Sequence, residues 1–378
     1  MTRYIWQDPD WPTFRWNASV LLEPLGACRL AQGQLLARVA GLGLPLACQS
    51  HAEILVEETI KTSAIEGENL DVRSVRSSVA RRLGLPSAGL PVDRRVDDLV
   101  AVLLDATQNF AAPLTVERLW GWQAALFPSG YSGLHRIKVG GWRDSAEPMC
   151  VVSGAIGRER VHFEAPPADR LDVEMQRFLE WFNDGGTATE GILRAALAHL
   201  WFVTIHPFDD GNGRLARALT DMALAQDDRQ PARYFSLSAQ VMADRNGYYD
   251  ILEKTQKGNC DVTDWLTWFL DCYARSIRRS EELLDGVFLR AEFWQRHAQI
   301  PLTDRQRKVV NRLLEEGPGG FEGGMTTRKY AALTGASRAT AFRELDQLHE
   351  FGILRRFGQG RSVRYELTPP NLLHVVDP

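Results

Sequence analysis

The stretch HPFDDGNGRLAR, residues 206–217, contains a histidine, two adjacent aspartates, an asparagine between two glycines and two arginines. A glycine-rich loop that enters a helix presents backbone N–H groups without intrahelical partners at the positive end of the helix dipole. Arg214 and Arg217 are three residues apart, so they share one face of that helix, where two guanidinium groups can hold successive phosphates. The stretch therefore predicts an anion site for a phosphate compound.

Two further side chains add chemistry to this site. Asp210 lies at the mouth of the loop, and Mg²⁺ in proteins is usually held by one or two carboxylates together with phosphates. His206 ends the preceding helix, and its ordinary pKa of about 6.5 suits a base that removes a proton from an attacking hydroxyl. Phe208 is expected to be an apolar anchor. This group of residues is typical of phosphoryl or nucleotidyl transfer, in which positioning and charge stabilisation dominate.

Two other interpretations of the stretch were considered. A polar loop between two core helices would also be rich in Asp, Gly and Asn. A calcium-binding EF-hand loop also contains D-G-N-G, but it needs glycine at its sixth position. Placing Gly213 there puts Phe208 at the first ligand position and Leu219 at the last, and neither can bind calcium. The calcium interpretation therefore fails.

The bulk composition sets limits on the class of protein. A chain of 378 residues predicts two or three domains, and 44% hydrophobic with 24% charged residues is ordinary for a globular protein. The five cysteines are far apart and form no C-x-x-C pair, so we expect reduced thiols in a cytoplasmic protein. No secretory signal is visible. The apolar run 193–205 carries Arg194 and His199 and is shorter than the ~18 residues of a membrane span.

Apolar residues recur at helical spacing over most of the chain. They predict helices over residues 19–42, 46–66, 96–110, 115–127, 171–183, 189–205, 214–225, 246–255, 263–279 and 281–298. Between residues 140 and 167, β-branched runs around Val151 and Val161 predict a β-hairpin in an otherwise helical body. The aromatic arm at residues 4–16 is expected to pack onto that body.

The last part of the chain differs in charge. Residues 301–368 contain 12 Lys or Arg and 8 Asp or Glu, a balance of +4, and since the whole chain has −4, the remainder has −8. Helical patterns over 303–316, 326–333 and 337–350 are followed by two strands joined at 358–360. Three helices followed by a basic hairpin predict a winged helix.

The helix at 337–350 and the hairpin after it suit DNA, with the helix in the major groove and the wing on phosphates. On this helix the residues expected to face outward are Arg338, Thr340 and Arg343, and those expected to pack inward are Ala341, Leu345 and Leu348. The wing carries Arg355, Arg356, Arg361 and Arg364. Glu344 and Asp346 are expected to weaken the basic patch. Protein contacts or dimerisation are the alternative use of such a domain.

Residues 206–217 resemble a complete Fic motif, H-x-F-x-[DE]-G-N-G-R-x-x-R, and the resemblance covers about residues 96–273. It implies a mainly helical fold and transfer of AMP from ATP to a Ser, Thr or Tyr hydroxyl of a protein. The implied roles are a general base for His206, a Mg²⁺ ligand for Asp210, an anion hole for the loop and phosphate contacts for the arginines. The loop residues are Gly211, Asn212 and Gly213, and the arginines are Arg214 and Arg217.

The same resemblance makes the hairpin at 140–167 a flap that holds a target protein by strand addition. Tyr248 and Tyr249 resemble tyrosines that contact adenine, and ordinary helix packing is the alternative for each of them. Relatives often dimerise, so a homodimer is a further expectation.

Residues 62–67, T-S-A-I-E-G, resemble the inhibitory helix of the family, (S/T)-x-x-x-E-(G/N). Glu66 would then bind Arg217 in place of the ATP γ-phosphate; its alternative is a solvated carboxylate at a helix end. Hundredfold inhibition requires about 2.8 kcal/mol, and an exposed ion pair contributes only about 0–1 kcal/mol. The pair is therefore expected to be partly buried or bidentate.

The sequence thus predicts an autoinhibited protein adenylyltransferase of mainly α fold. The expected parts are an N-terminal helical region (1–95), a Fic-type catalytic domain with a flap (96–280), a linker helix (281–300) and a winged helix (301–370). One alternative is a DNA-binding transcriptional regulator that senses ATP, although a sensor has no use for the base His206. Another is a Fic enzyme that transfers UMP, phosphocholine or phosphate, or that removes AMP from a modified target.

Overall fold

The computed structural model describes residues 4–86, 93–153, 160–184, 188–315 and 323–368. The chain forms two compact units, residues 1–281 and 282–378. Helices dominate both units, so the predicted mainly α fold is confirmed. The finer domain boundaries at 95, 280, 300 and 370 stay predictions. No helix within the described ranges combines the length and apolarity needed to cross a membrane.

The helices of the first unit are α1 (Ala18–Ala40), α2 (Leu44–Ile65), α3 (Val72–Arg82), α4 (Arg94–Gln108), α5 (Val116–Leu126), α6 (Leu171–Asn183), α7 (Gly191–Ile205), α8 (Asn212–Asp228), α9 (Leu237–Ala243) and α10 (Arg245–Gln256). The next helix, α11 (Thr263–Arg296), contains the boundary between the units. The strands of the first unit are β1 (Tyr131–Ser132), β2 (His135–Arg136), β3 (Cys150–Ser153) and β4 (Arg160–Glu164).

Side chains at the helix starts explain several of these boundaries. Asn17, Asp71, Asp93 and Thr115 each accept a hydrogen bond from a backbone N–H of the first turn, which satisfies a donor that has no intrahelical partner. After the end of α2, Gly67 has φ 85°, a left-handed conformation that glycine adopts without strain. The helix predicted over residues 46–66 is present as α2 and ends at Ile65.

Helix α7 lies in the core of the first unit. Every residue from Ile192 to Ile205 is buried, which accounts for the apolar run in the sequence. The two polar residues of that run have internal partners: Arg194 Nη2 donates to the carbonyl of Phe182 at 2.5 Å, and His199 Nδ1 lies 3.0 Å from the hydroxyl of Thr220. The run is therefore a buried core helix, as its length predicts.

Three elements were not predicted: α3, α9 and the β1–β2 hairpin. In α3 the valines fall only at 72, 75 and 79, and serines complete the buried face, so the apolar period is weak. The prediction of separate helices at 263–279 and 281–298 was wrong. They form the single helix α11, because only Ser280 separates them and the helix contains no Pro.

The aromatic arm packs onto the first unit, as predicted. The rings of Trp11 and Phe14 contact Trp201 of α7, with centroid distances of 6.1 and 5.7 Å. Tyr4 packs edge-on against Phe163 of β4 at 5.3 Å. The arm therefore supports the hairpin as well as the helical core.

The predicted hairpin is present as an antiparallel pair of β3 and β4, with Cys150 opposite Glu164 and Ser153 opposite Arg160. A β-bulge lies between Val151 and Val152. Residues 154–159 of the predicted hairpin lie outside the described residues.

The second unit contains α12 (Asp304–Glu315), α13 (Thr327–Thr334), α14 (Arg338–Glu350), β5 (Leu354–Phe357) and β6 (Arg364–Leu367). Strands β5 and β6 pair antiparallel, and Met325 forms a bridge to Tyr365. Its core includes Val309, Tyr330 and Leu345. Three helices followed by a hairpin are the predicted winged-helix layout.

One expectation about α14 was wrong. Glu344 is 6% exposed and does not lie on the surface with the arginines. Arg305 Nη2 donates to its carboxylate at 2.5 Å and the Tyr330 hydroxyl donates at 2.7 Å. Glu344 shares the inward face with Ala341 and Leu348, at helical spacing, so it does not weaken the exposed basic face.

The exposed face of α14 carries Arg338 and Arg343, and the hairpin adds Arg356 and Arg364. The side chain of Arg361, predicted on the wing, lies outside the described residues.

Candidate functional site

The loop 206–212 is closed by one side chain. The Asn212 amide nitrogen donates to the Phe208 carbonyl at 2.8 Å, and the Asn212 amide oxygen accepts from the Phe208 backbone N–H at 3.0 Å. The ring of Phe208 is fully buried against Trp142 and Phe202, with centroid distances of 5.0 and 6.4 Å. Phe208 is therefore the predicted apolar anchor, and the side chain of Asn212 holds the loop.

His206 caps the end of α7 in a left-handed conformation, with φ 53° and ψ 58°. Its Nδ1 lies 3.2 Å from the carbonyl oxygen of Val203. A carbonyl can only accept, so Nδ1 carries the proton and Nε2 is the basic nitrogen. Burial lowers the pKa of His206, opposed by the hydrogen bond to Val203. The imidazole is therefore neutral near pH 7, which is the form that a base requires.

Arg143 holds this histidine in place. Its Nε donates to the His206 carbonyl at 2.8 Å, and its backbone N–H donates to the Pro207 carbonyl at 2.9 Å. Its Nη2 donates to the carbonyl of Pro166, just after β4, at 2.5 Å. The buried Arg143 thus ties the base of the hairpin to the loop 206–212.

Asp210 has both carboxylate oxygens oriented. Oδ1 accepts the backbone N–H of Gly211 at 2.5 Å, and Oδ2 accepts the hydroxyl of Ser132, the last residue of β1. Within the described ranges, no group of three or more His, Cys, Asp or Glu could hold a metal ion. A single oriented carboxylate fits a Mg²⁺ ion that takes its remaining ligands from phosphate and water.

The predicted anion site is the start of α8. Gly211 is its N-cap with φ 91°, and no side chain caps the helix. A Cβ at Gly211 would approach the Phe127 ring to 3.0 Å, and a Cβ at Gly213 would lie 2.3 Å from Glu66 Oε1. A carboxylate therefore occupies the space above Gly213, where the loop presents free N–H groups and the positive end of the helix dipole.

Arg217 lies behind this carboxylate and is 2% exposed. Its Nη2 donates to Glu66 Oε1 at 2.7 Å and to the Thr62 carbonyl at 2.9 Å, and its Nε donates to the Thr62 hydroxyl at 2.7 Å. Burial alone would lower the pKa of Arg217, but Glu66 raises it above its ordinary value. The ion pair is partly buried, as expected. Thr62, one turn before Glu66, accepts the other two hydrogen bonds of Arg217.

Arg214 lies one turn nearer the loop and is 6% exposed. Its guanidinium stacks over the Phe127 ring at 4.9 Å, and Nη1 donates to Glu68 Oε2 at 3.2 Å. The Glu68 side chain is 51% exposed. Among the described residues, Arg214 Nε and Arg217 Nη1 are buried without hydrogen-bond partners, so both arginines retain donors for a further anion.

The two tyrosines of α10 differ. Tyr248 is 3% exposed, and its hydroxyl lies 2.8 Å from His199 Nε2. Tyr249 is 36% exposed and its hydroxyl donates to the Ile65 carbonyl at 3.4 Å, near the end of the inhibitory motif. Tyr248 is packed in the interior, as the alternative of ordinary helix packing predicts. For Tyr249, a nucleotide contact stays a prediction.

Four contacts of the site were not predicted from the sequence. They are made by Thr62, Glu68, Ser132 and Arg143. Thr62 had a signal, because the inhibitory motif itself specifies Ser or Thr at that position. The other three act across 63 to 146 positions of sequence, and no local pattern reports such a contact.

Comparisons with known proteins agree with this geometry. Residues 113–224 match the model of the Fic/DOC family. Residues 4–85 match a domain of unknown function, DUF4172, and residues 322–368 match the C-terminal domain of DIP2311-like transcriptional regulators.

Two curated relatives are both called protein adenylyltransferase Fic. The Drosophila yakuba protein is 34% identical over 117 residues, which are 31% of this chain and 22% of the relative. The Culex quinquefasciatus protein is 26% identical over 235 residues, 61% of this chain and 42% of the relative. The chain thus spans between about a fifth and two fifths of the length of these relatives.

Solved structures show the same fold. A Fic family protein from Desulfovibrio desulfuricans G20 has a TM-score of 0.56 at 19% identity, over 92% of this chain and 96% of that one. A Fic domain containing signaling protein from Bacteroides thetaiotaomicron VPI-5482 has a TM-score of 0.51 at 18% identity, over 70% and 97%. Residues 113–224 of this chain therefore form a domain of the Fic/DOC family, and the motif at 206–217 lies within it.

Proposed function

We propose that this protein is an autoinhibited protein adenylyltransferase that transfers AMP from ATP to a Ser, Thr or Tyr hydroxyl. One observation carries the proposal: the carboxylate of Glu66 lies above Gly213 and binds Arg217, inside the anion site at the start of α8. The site therefore already accepts an anion, and it is a phosphate site when Glu66 leaves. The relatives named above as adenylyltransferases support AMP as the transferred group.

The chemistry assigns a role to each side chain. The target hydroxyl attacks the α-phosphorus of ATP, the bond to the bridging oxygen breaks, and pyrophosphate leaves. His206 Nε2 accepts the hydroxyl proton, because Nδ1 is occupied by the Val203 carbonyl. Arg214 and Arg217 neutralise the β- and γ-phosphates. Asp210 is the residue that would hold Mg²⁺, which would supply positive charge at the phosphate oxygens.

Autoinhibition follows from the burial of Arg217. A buried charge left without a partner destabilises a protein, and Arg217 is 2% exposed, whereas Glu66 is 30% exposed. Arg217 therefore favours a bound anion, and Glu66 and the γ-phosphate compete for it. ATP bound with Glu66 in place has its γ-phosphate displaced, so its α-phosphate is not aligned with His206.

The hairpin of β3 and β4 is the proposed docking site for the target. Its opposing valines, Val152 and Val161, are 49% and 45% exposed. Arg143 connects the hairpin base to the His206 loop. A target strand added to the hairpin is thereby held at a fixed distance from the base.

The test is labelling of a cell lysate with each α-labelled nucleoside triphosphate, using wild type, Glu66→Gly and His206→Ala proteins. We expect strong labelling with ATP by Glu66→Gly, weak labelling by wild type and none by His206→Ala. Labelling with UTP and not with ATP would show that the nucleotide donor is UTP. Failure of Glu66→Gly to label any protein, itself included, would remove the proposed activity.

A second function is favoured for the second unit, and we propose that it binds DNA. The match to the DIP2311-like regulators and the exposed face with Arg338 and Arg343, from which Glu344 is turned away, support it. Phosphate contacts make such binding strongly salt-dependent. A gel shift of the full chain with random duplex DNA tests this: we expect a shift at low salt that is lost at high salt, and no shift at low salt would exclude it.

A further inference from the structure

A cleft of about 470 Å³ in the first unit is lined by α5, α6 and Trp142. None of its lining residues belongs to the motif at 206–217. Small-molecule sites in proteins are commonly about 300–1,000 Å³ in volume, with apolar walls and a few polar groups. The size of this cleft therefore suits a small organic ligand.

The walls of the cleft are aromatic and apolar. The rings of Trp120 and Trp142 meet edge to face at a centroid distance of 5.6 Å. Met175 is 1% exposed, and Val116 and Leu179 are half-buried beside it. Tryptophan faces attract cations through the ring quadrupole, by about 0.5–2 kcal/mol depending on desolvation.

The rim of the cleft is negatively charged. Asp172 and Glu180 lie two turns apart on the same face of α6, and both are exposed. Neither forms an ion pair with a residue in the described ranges, and the residues lining the cleft include no Lys or Arg. The lining also reaches Asn183 at the end of α6, where the helix dipole favours positive charge.

We propose that this cleft binds a small organic ammonium ion with an apolar body. The tryptophan rings, the two carboxylates and the helix end all favour a positive charge, and the apolar walls accommodate the carbon atoms of the ligand. The assignment does not depend on the transfer reaction, because no residue of the loop or of α8 takes part in it. Its success or failure is therefore separate from that of the proposed transferase activity.

The test is a calorimetric titration of the full chain with benzylammonium and, as the uncharged match, benzyl alcohol. We expect saturable binding of one benzylammonium at millimolar concentration and an affinity for benzyl alcohol weaker by about tenfold. The double variant Asp172→Asn/Glu180→Gln retains shape but removes charge, so we expect it to lower the benzylammonium affinity by about tenfold. Trp120→Leu is expected to weaken it as well.

Glu23→Gln, an exposed residue of α1 outside the cleft, is the matched control and is expected to bind like wild type. Trp142 is left unchanged because it also supports Phe208. Equal affinity for benzylammonium and benzyl alcohol, or unchanged binding in the double variant with its thermal unfolding intact, would overturn the proposal. Binding of a lysine peptide without binding of benzylammonium would also overturn it.

Discussion

Arg214 and Arg217 lie one turn apart on α8, and each is bound by a glutamate from the segment that ends α2. Arg217 is 2% exposed, and its partner Glu66 is 30% exposed at 2.7 Å. Arg214 is 6% exposed, but its partner Glu68 is 51% exposed at 3.2 Å. The two contacts have the same chemistry and differ mainly in the burial of the carboxylate.

This difference decides which contact can control the site. A largely exposed ion pair is screened by water and contributes about 0–1 kcal/mol. The Glu66 contact is the less exposed of the two, and both hydrogen bonds from Arg217 to Thr62 support it. We therefore assign the inhibitory role to Glu66 alone and regard Glu68 as a surface partner that ATP displaces readily.

The largest effect is expected from replacing His206, the proposed general base. In the Glu66→Gly background, His206→Ala is expected to lower the rate of AMP transfer by about a thousandfold, since general base catalysis contributes about 10²–10⁴-fold. Nucleotide affinity, measured by calorimetry, should change little because both arginines remain. Retention of full transfer activity would show that His206 is not the base.

The next largest effect concerns the support of Arg217. Thr62→Ala leaves a buried guanidinium N–H without its acceptor, which is expected to lower the free energy of unfolding by about 1–3 kcal/mol. Glu68→Gln, at the exposed contact, is expected to change it by less than about 0.5 kcal/mol. Urea unfolding of both variants tests the contrast. Thr62→Ser, which keeps the hydroxyl, is the control. Equal losses of unfolding free energy for Thr62→Ala and Glu68→Gln would contradict the prediction.

A smaller effect is expected at Asp210, the proposed Mg²⁺ ligand. Ser132→Ala removes the hydroxyl that orients Asp210, and loss of such a partner typically weakens a metal site by about tenfold or more. In the Glu66→Gly background, the Mg²⁺ concentration for half-maximal transfer should rise by about that factor while the rate at saturating Mg²⁺ is retained. An unchanged Mg²⁺ dependence would mean that Ser132 has no positioning role.

The smallest effect is on pH dependence. Burial lowers the pKa of His206 below its ordinary value of 6.5, so half of the imidazole becomes protonated only at a pH below 6.5. The kcat/KM of Glu66→Gly is therefore expected to fall as the pH is lowered, with a midpoint below 6.5. A profile of kcat/KM against pH, on a protein shown to remain folded, tests this, and a fall centred above 6.5 would contradict it.

The sequence identifies the loop at 206–217 more directly than the residues that surround the loop. Residues 206–217 are consecutive, so the loop, the candidate base and both arginines could be singled out from their spacing. The contact of Thr62 with Arg217 joins residues 155 positions apart, and only the fold brings them together. Helix α3 was missed because its buried face is largely serine.

Glu344 shows a different limit. Its position at helical spacing from Ala341 and Leu348 was visible in the sequence, but its charge suggested the surface. Burial of a carboxylate is acceptable here because Arg305 and Tyr330 satisfy it. The Arg305 and Tyr330 side chains come from α12 and α13, so the pairing depends on how the three helices pack.

The most direct test of the account compares Glu66→Gly with Glu68→Gly in one assay of AMP transfer from α-labelled ATP. Glu66→Gly is expected to raise the transfer rate over wild type by about a hundredfold, which corresponds to about 2.8 kcal/mol. Glu68→Gly is expected to change it by less than about threefold, because its contact is largely exposed. Equal activation by the two variants, or none by Glu66→Gly, would contradict the claim that the Glu66 contact with Arg217 keeps the site inactive.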